Sequence, residues 1–205
     1  MNILLPINYI GTLDYWALIS QAEQVVIDDL EPFVKQTYRN RMEVLGSNGV
    51  QSLSIPVKKG AQRMRELSCE TAETWRRQHW QALLSAYNHA PYFDALAPEL
   101  AWFYEEKTEH IFPSLLQLIS QFCHLLHLSQ PVLRSNAEQM LDDSFRDFRD
   151  RFKPSKNKQL FLQPAYHQVF SDRFAFAANL SLIDLIANQG PRARDVLKSI
   201  QIKPL

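Results

Sequence analysis

Apolar and polar positions follow a strand, helix and strand pattern at the start of the chain. Residues 2–6 form a short apolar run, which predicts a buried strand, and residues 13–22 have apolar positions at helical spacing. Residues 24–27 form a second apolar run that two aspartates end. This order is typical of a parallel βαβ unit. We therefore expect a ligand site beyond the carboxyl ends of the two strands, at residues 6–11 and 28–31.

The next segment predicts a β-hairpin. Asn48-Gly49 is the strongest signal, because both residues tolerate the positive φ angles of a type I′ turn. A two-residue loop at this position would pair apolar side chains on one face of the hairpin: Val44 with Leu53, and Met42 with Ile55. Arg39, Arg41 and Glu43 would then project from the opposite face.

The rest of the chain predicts mainly helices. Helical spacing is found in several segments: residues 74–87, 96–106, 108–128, 136–152, 181–188 and a last helix that Pro191 opens. Short strands are expected at residues 66–69 and 159–163, and a polar loop at residues 153–158. Together these elements predict a single α/β domain over residues 1–205, in which a small mixed sheet with a β-hairpin packs against several helices.

Composition and charge narrow the classes of function. The 205 residues are 46% hydrophobic, which is enough for one full-sized core. There are 22 basic and 22 acidic residues, so general nucleic-acid binding is not expected. No apolar window is long enough for a membrane span, and the N terminus lacks the basic region of a signal peptide. With two distant cysteines only, the sequence predicts a soluble cytoplasmic protein.

The sharpest candidate for chemistry is Arg39-Asn40-Arg41. Strand geometry would place the two arginines on one face, about 7 Å apart. Paired guanidiniums bind phosphate or carboxylate, and the amide of Asn40 would add orientation, which predicts a site for an anionic small molecule. The alternative is a structural ion pair between the arginines and Asp28, Asp29 or Glu31.

Two side chains are candidates for catalysis. Asp28 follows the second predicted strand, where α/β proteins place bases and metal ligands, although a polar turn that pairs with the arginines is the alternative. His79 lies between Trp75 and Trp80 on an aromatic helix face and could serve as a general base. A packed histidine with one hydrogen bond is the competing interpretation of that residue.

Several familiar motifs are missing from the sequence. His124 and His127 share a helix face, but zinc needs three or four converging ligands, so no metal site is expected. The chain has five glycines and neither a GxGxxG motif, a P-loop nor a GxSxG elbow. The sequence therefore names no cofactor.

A polar group near the C terminus is a further candidate. Tyr166 and Asn179 could contribute to substrate binding, together with the neighbouring Asp184. The alternative is a capping network in which Asn179 and Ser181 begin a helix and Asp184 is the reciprocal partner.

A set of short motifs, in this order, resembles the WbqC-like protein family. The motifs lie between residues 3 and 195 and comprise Leu5-Pro6, Tyr9, Tyr15-Trp16, Asp28, Tyr38-Arg39-Asn40-Arg41, Leu53-Ser54-Ile55-Pro56-Val57, Tyr87, Pro91-Tyr92-Phe93, Asn179 to Leu185, Asn188 and Gly190-Pro191. Members of this bacterial family occur in part alongside genes for surface polysaccharide and O-antigen synthesis, and transfer of glycine or other small acyl groups has been suggested for them. The opening motif departs from the family pattern, since Leu5 replaces a glutamine.

These features lead to two functional hypotheses. The resemblance implies a transferase that moves a small acyl or aminoacyl group onto an amine of a sugar or related metabolite. Its site would combine an anion clamp (Arg39, Asn40, Arg41), cleft residues (Tyr9, Asp28, Tyr166, Asn179) and the base His79.

The second hypothesis is a non-catalytic protein that recognises an anionic metabolite or an assembly partner. An enzyme would need a titratable group within about 3 Å of the reacting position. Both hypotheses leave a homo-oligomer open.

Overall fold

The computed structural model describes residues 1–60, 63–70, 73–135, 144–154 and 161–202. Its strands are β1 (Asn2–Leu5), β2 (Gln24–Asp28), β3 (Arg41–Gly46), β4 (Gly49–Ser54), β5 (Val132–Arg134), β6 (Phe145–Asp147), β7 (Phe161–Leu162) and β8 (Gln201–Ile202). Its α-helices are α1 (Leu13–Gln21), α2 (Glu73–Tyr87), α3 (Phe93–Glu105), α4 (Ile111–Leu125), α5 (Leu182–Gln189) and α6 (Ala193–Ser199). The α/β class and the β-hairpin that the sequence predicts are confirmed.

A parallel sheet holds the N-terminal part of the chain together. Its strands lie in the order β5-β2-β1-β6, and β1 pairs with β2 in the register Asn2 to Gln24 and Leu5 to Ile27. The apolar runs of β1 and β2 are buried because helices and loops cover the sheet. Helix α1 connects these two strands, so the predicted βαβ unit is confirmed.

The direction of the strand order reverses beside β1. The chain leaves β1 towards β2 and β5, and then returns to place β6 on the opposite side of β1. Connections that leave neighbouring strands in opposite directions separate at the carboxyl ends, and open α/β sheets bind ligands at that point. The segments that follow β1, β2 and β6 therefore meet at one edge, which we call the carboxyl edge of the sheet.

The hairpin pairs with itself and not with the parallel strands. Its register joins Arg41 to Ser54 and Gly46 to Gly49, so the turn residues are Ser47 and Asn48. The predicted strand pairs are therefore wrong by two residues. The predicted type I′ turn is also wrong, because the positive φ of 106° is at Gly49 and not at Asn48. A shift of two positions preserves the faces of a strand. The predicted apolar face is accordingly buried, with Met42, Val44, Leu53 and Ile55 in the core.

Other predicted elements differ from the structure. The expected strand at residues 66–69 is a 3-10 turn (Met64–Glu66) followed by an isolated bridge at Cys69. The helix expected over residues 136–152 is wrong from residue 144 onward, because β6 pairs in parallel with β1 there and Phe145 packs against Leu4 and Val26. Residues 136–143 lie outside the described ranges, as do residues 155–160, on which most of the predicted loop and the start of the predicted strand at residues 159–163 fall.

Helices α1 to α6 enclose an aromatic core. Trp16 on α1 contacts Phe122 on α4 edge to face, and its indole nitrogen donates to the Ile10 carbonyl at 2.5 Å. Phe103 on α3 stacks on Tyr9, which follows β1. No helix in the described part of the chain is long and apolar enough to cross a membrane.

Candidate functional site

A buried ion pair occupies the carboxyl edge of the sheet. The Arg39 Nη2 atom lies 2.6 Å from the Glu31 Oε2 atom, and the side chains are 3% and 1% exposed. The other oxygen of Glu31 accepts a hydrogen bond from the backbone N–H of Ile7 at 3.1 Å. Arg39 also donates to the carbonyl of Arg149, after β6, at 3.3 Å. Arg39 therefore ties together the segments that follow β1, β2 and β6.

Asp28 and Asp29 belong to the same charged edge. Asp28 accepts a hydrogen bond from the N–H of Leu30 at 2.9 Å, and its other oxygen lies 3.5 Å from the Arg149 guanidinium. Asp29 forms an ion pair with Arg65. Three carboxylates at the ends of one strand would repel one another, and the surrounding guanidiniums offset that repulsion. The ion-pair alternative that the sequence left open describes Arg39, which pairs with Glu31, whereas the partners of Asp28 and Asp29 are Arg149 and Arg65.

The proton affinity of Glu31 is strongly altered by its buried position. Burial raises the pKa of Glu31 to about 7, although the nearby Arg39 guanidinium and the Ile7 N–H act in the opposite direction. A carboxyl with this pKa exchanges a proton near neutral pH, which is a property that acid–base catalysts share. The sequence pattern placed Glu31 only among possible salt-bridge partners.

Arg41 and Asn40 line a pocket on the outer side of the hairpin base. The pocket has a volume of about 490 Å³, and we call it the basic pocket. Its polar and charged lining consists of Lys35, Gln36, Asn40, Arg41, Ser54, Lys58 and Lys59. None of the described residues that line it is acidic, although Lys58 pairs with the exposed Glu109 at 2.8 Å. This concentration of positive charge is suited to an anion.

The two arginines of the predicted clamp have separate environments. Strand β3 begins at Arg41, and Arg39 lies in the turn that precedes it, so strand alternation does not relate their side chains. Arg41 Nε donates to the Ser54 hydroxyl at 3.2 Å, and Asn40 donates to the Ile55 carbonyl at 2.9 Å. The structure therefore brings Asn40 and Arg41 together at the basic pocket and places Arg39 in the buried network behind it.

Tyr9 and His79 form a buried hydrogen-bond chain. The Tyr9 hydroxyl lies 3.0 Å from His79 Nδ1 and 2.9 Å from the Tyr104 hydroxyl. The backbone of Ser54 lies beside the His79 ring and acts to raise the pKa of His79. Burial lowers the pKa of His79 to about 4 and raises the pKa of Tyr9 well above its usual value. His79 is therefore neutral at physiological pH, with Nδ1 engaged by Tyr9, and it does not line the basic pocket.

Tyr166 and Asn179 have structural partners away from the basic pocket. The Tyr166 hydroxyl donates to the buried Asp184 carboxylate at 2.6 Å. Asn179 has a positive φ of 57°, which asparagine tolerates, and its side-chain oxygen accepts the N–H of Asp14 at 2.9 Å. Ser181 is the N-cap residue of α5, but its hydroxyl accepts from the Glu43 N–H and caps no helical N–H.

Sequence patterns did not identify several residues of these sites. Lys35, Lys58 and Lys59 are separated along the chain from Arg41, and only the hairpin fold brings them to one pocket. Arg149 lies in a segment for which the periodicity predicts a helix. In the described ranges no cluster of three or more histidine, cysteine, aspartate or glutamate side chains could hold a metal ion.

Comparison with known proteins identifies the family. The WbqC-like protein family matches residues 7–149, which is more than half of the chain, so the chain belongs to that family. An uncharacterised protein of Mycobacterium tuberculosis, Rv1507c, is 26% identical over 220 residues, covering 93% of this chain and 94% of the relative. No solved structure matches. The resemblance seen in the sequence is confirmed, and the matched span includes the carboxyl edge and the basic pocket.

Proposed function

We propose that the protein binds a small anionic metabolite in the basic pocket. The observation that carries this proposal is the lining of four cationic side chains, Lys35, Arg41, Lys58 and Lys59, with no acidic residue among the described lining. The volume of about 490 Å³ lies within the range of small-molecule sites. Arginine binds phosphate and carboxylate bidentately, and lysine adds point charges.

The surrounding structure supports a pocket that is formed before the ligand arrives. The Arg41 Nε atom donates a hydrogen bond to the Ser54 hydroxyl. Among the described contacts, the two terminal nitrogens of the guanidinium thus remain for an anion. The backbone of Asn40 accepts the N–H of Ile55 at 2.8 Å, so the two walls of the pocket are joined. A preorganised site loses less conformational entropy when it binds.

The test is anion binding by calorimetry with pyrophosphate as the probe. We expect Arg41→Ala and Lys59→Ala each to weaken pyrophosphate binding by about tenfold, because each removes one charge-assisted contact. Lys198→Ala is the matched control, since Lys198 is an exposed lysine on α6 outside the pocket. Wild-type affinity in both pocket variants would overturn the proposal.

A second candidate function is transfer of a small acyl or aminoacyl group, such as glycine, in surface polysaccharide synthesis. In this reaction an amine attacks the acyl carbon, the donor group departs, and a base accepts the proton of the amine. Two observations at the carboxyl edge favour it. Glu31 has a pKa of about 7, and Asn8 is 2% exposed with no hydrogen-bond partner for its amide among the described residues. A buried amide of this kind calls for a partner such as water or ligand.

The two functions can be separated by a turnover assay. Purified protein would be incubated with acetyl-CoA and glucosamine, and the release of free CoA thiol would be measured. The transferase proposal predicts turnover that Glu31→Gln abolishes and that His79→Gln leaves largely intact, since burial lowers the pKa of His79 to about 4 and so makes it a weak base. Turnover that persists in Glu31→Gln would remove Glu31 as the base. Binding without turnover across acyl donors would favour the non-catalytic function.

A further inference from the structure

Two more pockets share lining residues with the basic pocket or with each other. The first has a volume of about 530 Å³ and is lined by Gln51, Ser52, Leu53, Ser54, Arg77, Gln78, His79 and Gln81; we call it the amide pocket. The second has a volume of about 350 Å³ and is lined by Arg76, Arg77, Trp80, Ala101, Tyr104, Glu105, Glu106 and Lys107; we call it the aromatic pocket. Ser54 lines both the basic and the amide pocket, and Arg77 lines both the amide and the aromatic pocket. The three pockets therefore adjoin one another in series, with Ser54 at the first boundary and Arg77 at the second, and we call this series the groove.

The chemistry changes in a fixed order along this groove. The aromatic pocket offers the rings of Trp80 and Tyr104, whose centroids are 5.5 Å apart at an interplanar angle of 36°. It also contains Glu105 and Glu106, whose carboxylates accept hydrogen bonds from N–H groups, together with the cations Arg76, Arg77 and Lys107. An aromatic surface beside carboxylates is suited to a flat ring that carries N–H donors.

The middle of the groove is neutral apart from Arg77 and rich in hydrogen-bonding groups. Gln51, Gln78 and Gln81 contribute side-chain amides, which both donate and accept, and Ser52 and Ser54 contribute hydroxyls. These side chains are exposed on β4 and α2, so a ligand can reach them. Such a lining is suited to a hydroxylated unit. The basic pocket, by contrast, has four cations and is suited to several negative charges in one place.

A chain of buried side chains leads from the aromatic pocket towards Ser54. The Tyr104 hydroxyl, which borders the aromatic pocket, hydrogen-bonds Tyr9, which hydrogen-bonds His79. The backbone of Ser54 lies beside the His79 ring and acts to raise its pKa, and Ser54 borders the basic pocket. Two hydrogen bonds and one imidazole ring thus separate Tyr104 from the Ser54 contact. Residues that border the aromatic pocket and the basic pocket are thus linked through a few buried side chains.

We propose that the groove binds a nucleotide, with its base in the aromatic pocket, its ribose in the amide pocket and its phosphates in the basic pocket. A nucleotide has a ring with N–H groups, a hydroxylated unit and clustered negative charges in that order. An acidic oligosaccharide has no flat N–H-bearing ring and spreads its charges along the chain, so it matches the groove less well. Side-chain cations here take the role that backbone amides have in a glycine-rich phosphate loop. This inference rests on the proposed anion-binding function, because the phosphates occupy the basic pocket.

The experiment compares ATP with pyrophosphate by calorimetry at fixed ionic strength, without divalent cations. We expect wild-type protein to bind ATP about tenfold more tightly than pyrophosphate, because stacking of one base contributes about that factor. Trp80→Leu should remove this advantage and leave pyrophosphate affinity within about twofold. Trp102→Leu is the matched control, since Trp102 is a partly buried tryptophan on α3 outside the groove lining.

Further variants keep the test decisive. Gln81→Ala changes an exposed side chain of the amide pocket, so it should fold normally and weaken ATP but not pyrophosphate. Arg41→Ala should weaken both ligands. If pyrophosphate binds and ATP binds no more tightly, or if a glucuronate disaccharide binds more tightly than ATP, the nucleotide inference is wrong while the anion site stands. If neither phosphate ligand binds, the proposed function itself fails.

Discussion

The Arg39 guanidinium and the Glu31 carboxylate are in contact at 2.6 Å, and both are almost completely buried. Arg41, only two residues further along the chain, lies instead in the basic pocket and hydrogen-bonds the partly exposed wall of the hairpin. Because Arg39 also reaches the carbonyl of Arg149, it fixes the turn before β3 to two strand ends of the sheet. One arginine therefore positions the segment, and the other is available to a ligand.

Loss of Arg39 should destabilise the protein far more than loss of Arg41. Above about pH 7, where Glu31 is ionised, Arg39→Ala leaves its buried carboxylate without a cation, and breaking a buried pair costs about 3–5 kcal/mol. Arg41→Ala removes a partly exposed side chain with one hydrogen bond to Ser54, so we expect a loss below about 1 kcal/mol. Urea unfolding of the two variants measures the difference.

The double variant Arg39→Met with Glu31→Leu is the control for this pair. Replacement of both charges by apolar groups removes the uncompensated carboxylate, so it should recover most of the stability that Arg39→Ala loses. Equal losses of stability in Arg39→Ala and Arg41→Ala would contradict the different environments of the two arginines.

Stability should fall in acid because of His79. Burial lowers the folded-state pKa of His79 from 6.5 to about 4, so between these values the unfolded chain binds a proton that the folded protein does not. Stability is therefore lost as the pH falls from about 6.5 to about 4, by an amount on the order of 2 kcal/mol. In His79→Gln, urea unfolding over this pH range should show a correspondingly smaller loss.

Titration of Glu31 should change stability with pH in the opposite direction to titration of His79. Its folded-state pKa is raised from 4.5 to about 7, so the folded protein retains a proton that the unfolded chain has released, and stability falls as the pH rises between these values. Glu31→Gln should remove this slope, so that its stability rises more steeply than that of wild type between about pH 4.5 and 7. A pH profile parallel to that of wild type would show that the Glu31 carboxyl titrates normally in the folded state.

Gly190 should be less tolerant of a side chain than Gly49. Both have positive φ, at 51° and 106°, so alanine introduces backbone strain of about 1 kcal/mol at either position. A Cβ at Gly190 would also overlap the ring of Tyr92, whereas a Cβ at Gly49 would have no atom within 4 Å. Overpacking adds about 1–3 kcal/mol, so Gly190→Ala should lower the melting temperature clearly more than Gly49→Ala. Equal shifts would show that the Tyr92 ring moves aside without cost.

Secondary structure was predicted correctly from the sequence where local periodicity and burial agree. The runs at residues 2–6 and 24–27 are apolar on both sides of a strand, and they form the buried centre of the parallel sheet. The faces of the hairpin were also predictable, because Met42 and Val44 alternate with polar residues whichever turn closes the strands. The turn itself could not be predicted from the sequence, since glycine can occupy the position after a turn as well as a position within it.

Long-range pairing explains what the sequence could not show. Residues 144–152 have helical spacing, yet Phe145–Asp147 pairs with β1, a contact that no local pattern encodes. In the same way, Arg39 and Arg41 look equivalent along the chain, and only the fold buries one beside Glu31. The cations of the basic pocket come from two segments that the hairpin separates, so their common pocket follows from tertiary structure alone.

Tyr166 provides a final test of where the functional groups lie. Its hydroxyl donates to Asp184, which also accepts from Gln168 at 2.9 Å and is 1% exposed. Tyr166→Phe removes one hydrogen bond to a buried carboxyl, so we expect a loss of about 1–3 kcal/mol in urea unfolding. Because Tyr166 does not line the basic pocket, pyrophosphate affinity measured by calorimetry should stay within about twofold of wild type. Weaker binding in Tyr166→Phe with unchanged stability would instead place this tyrosine in the ligand site, as the sequence alone suggested, and would move the centre of that site towards α5.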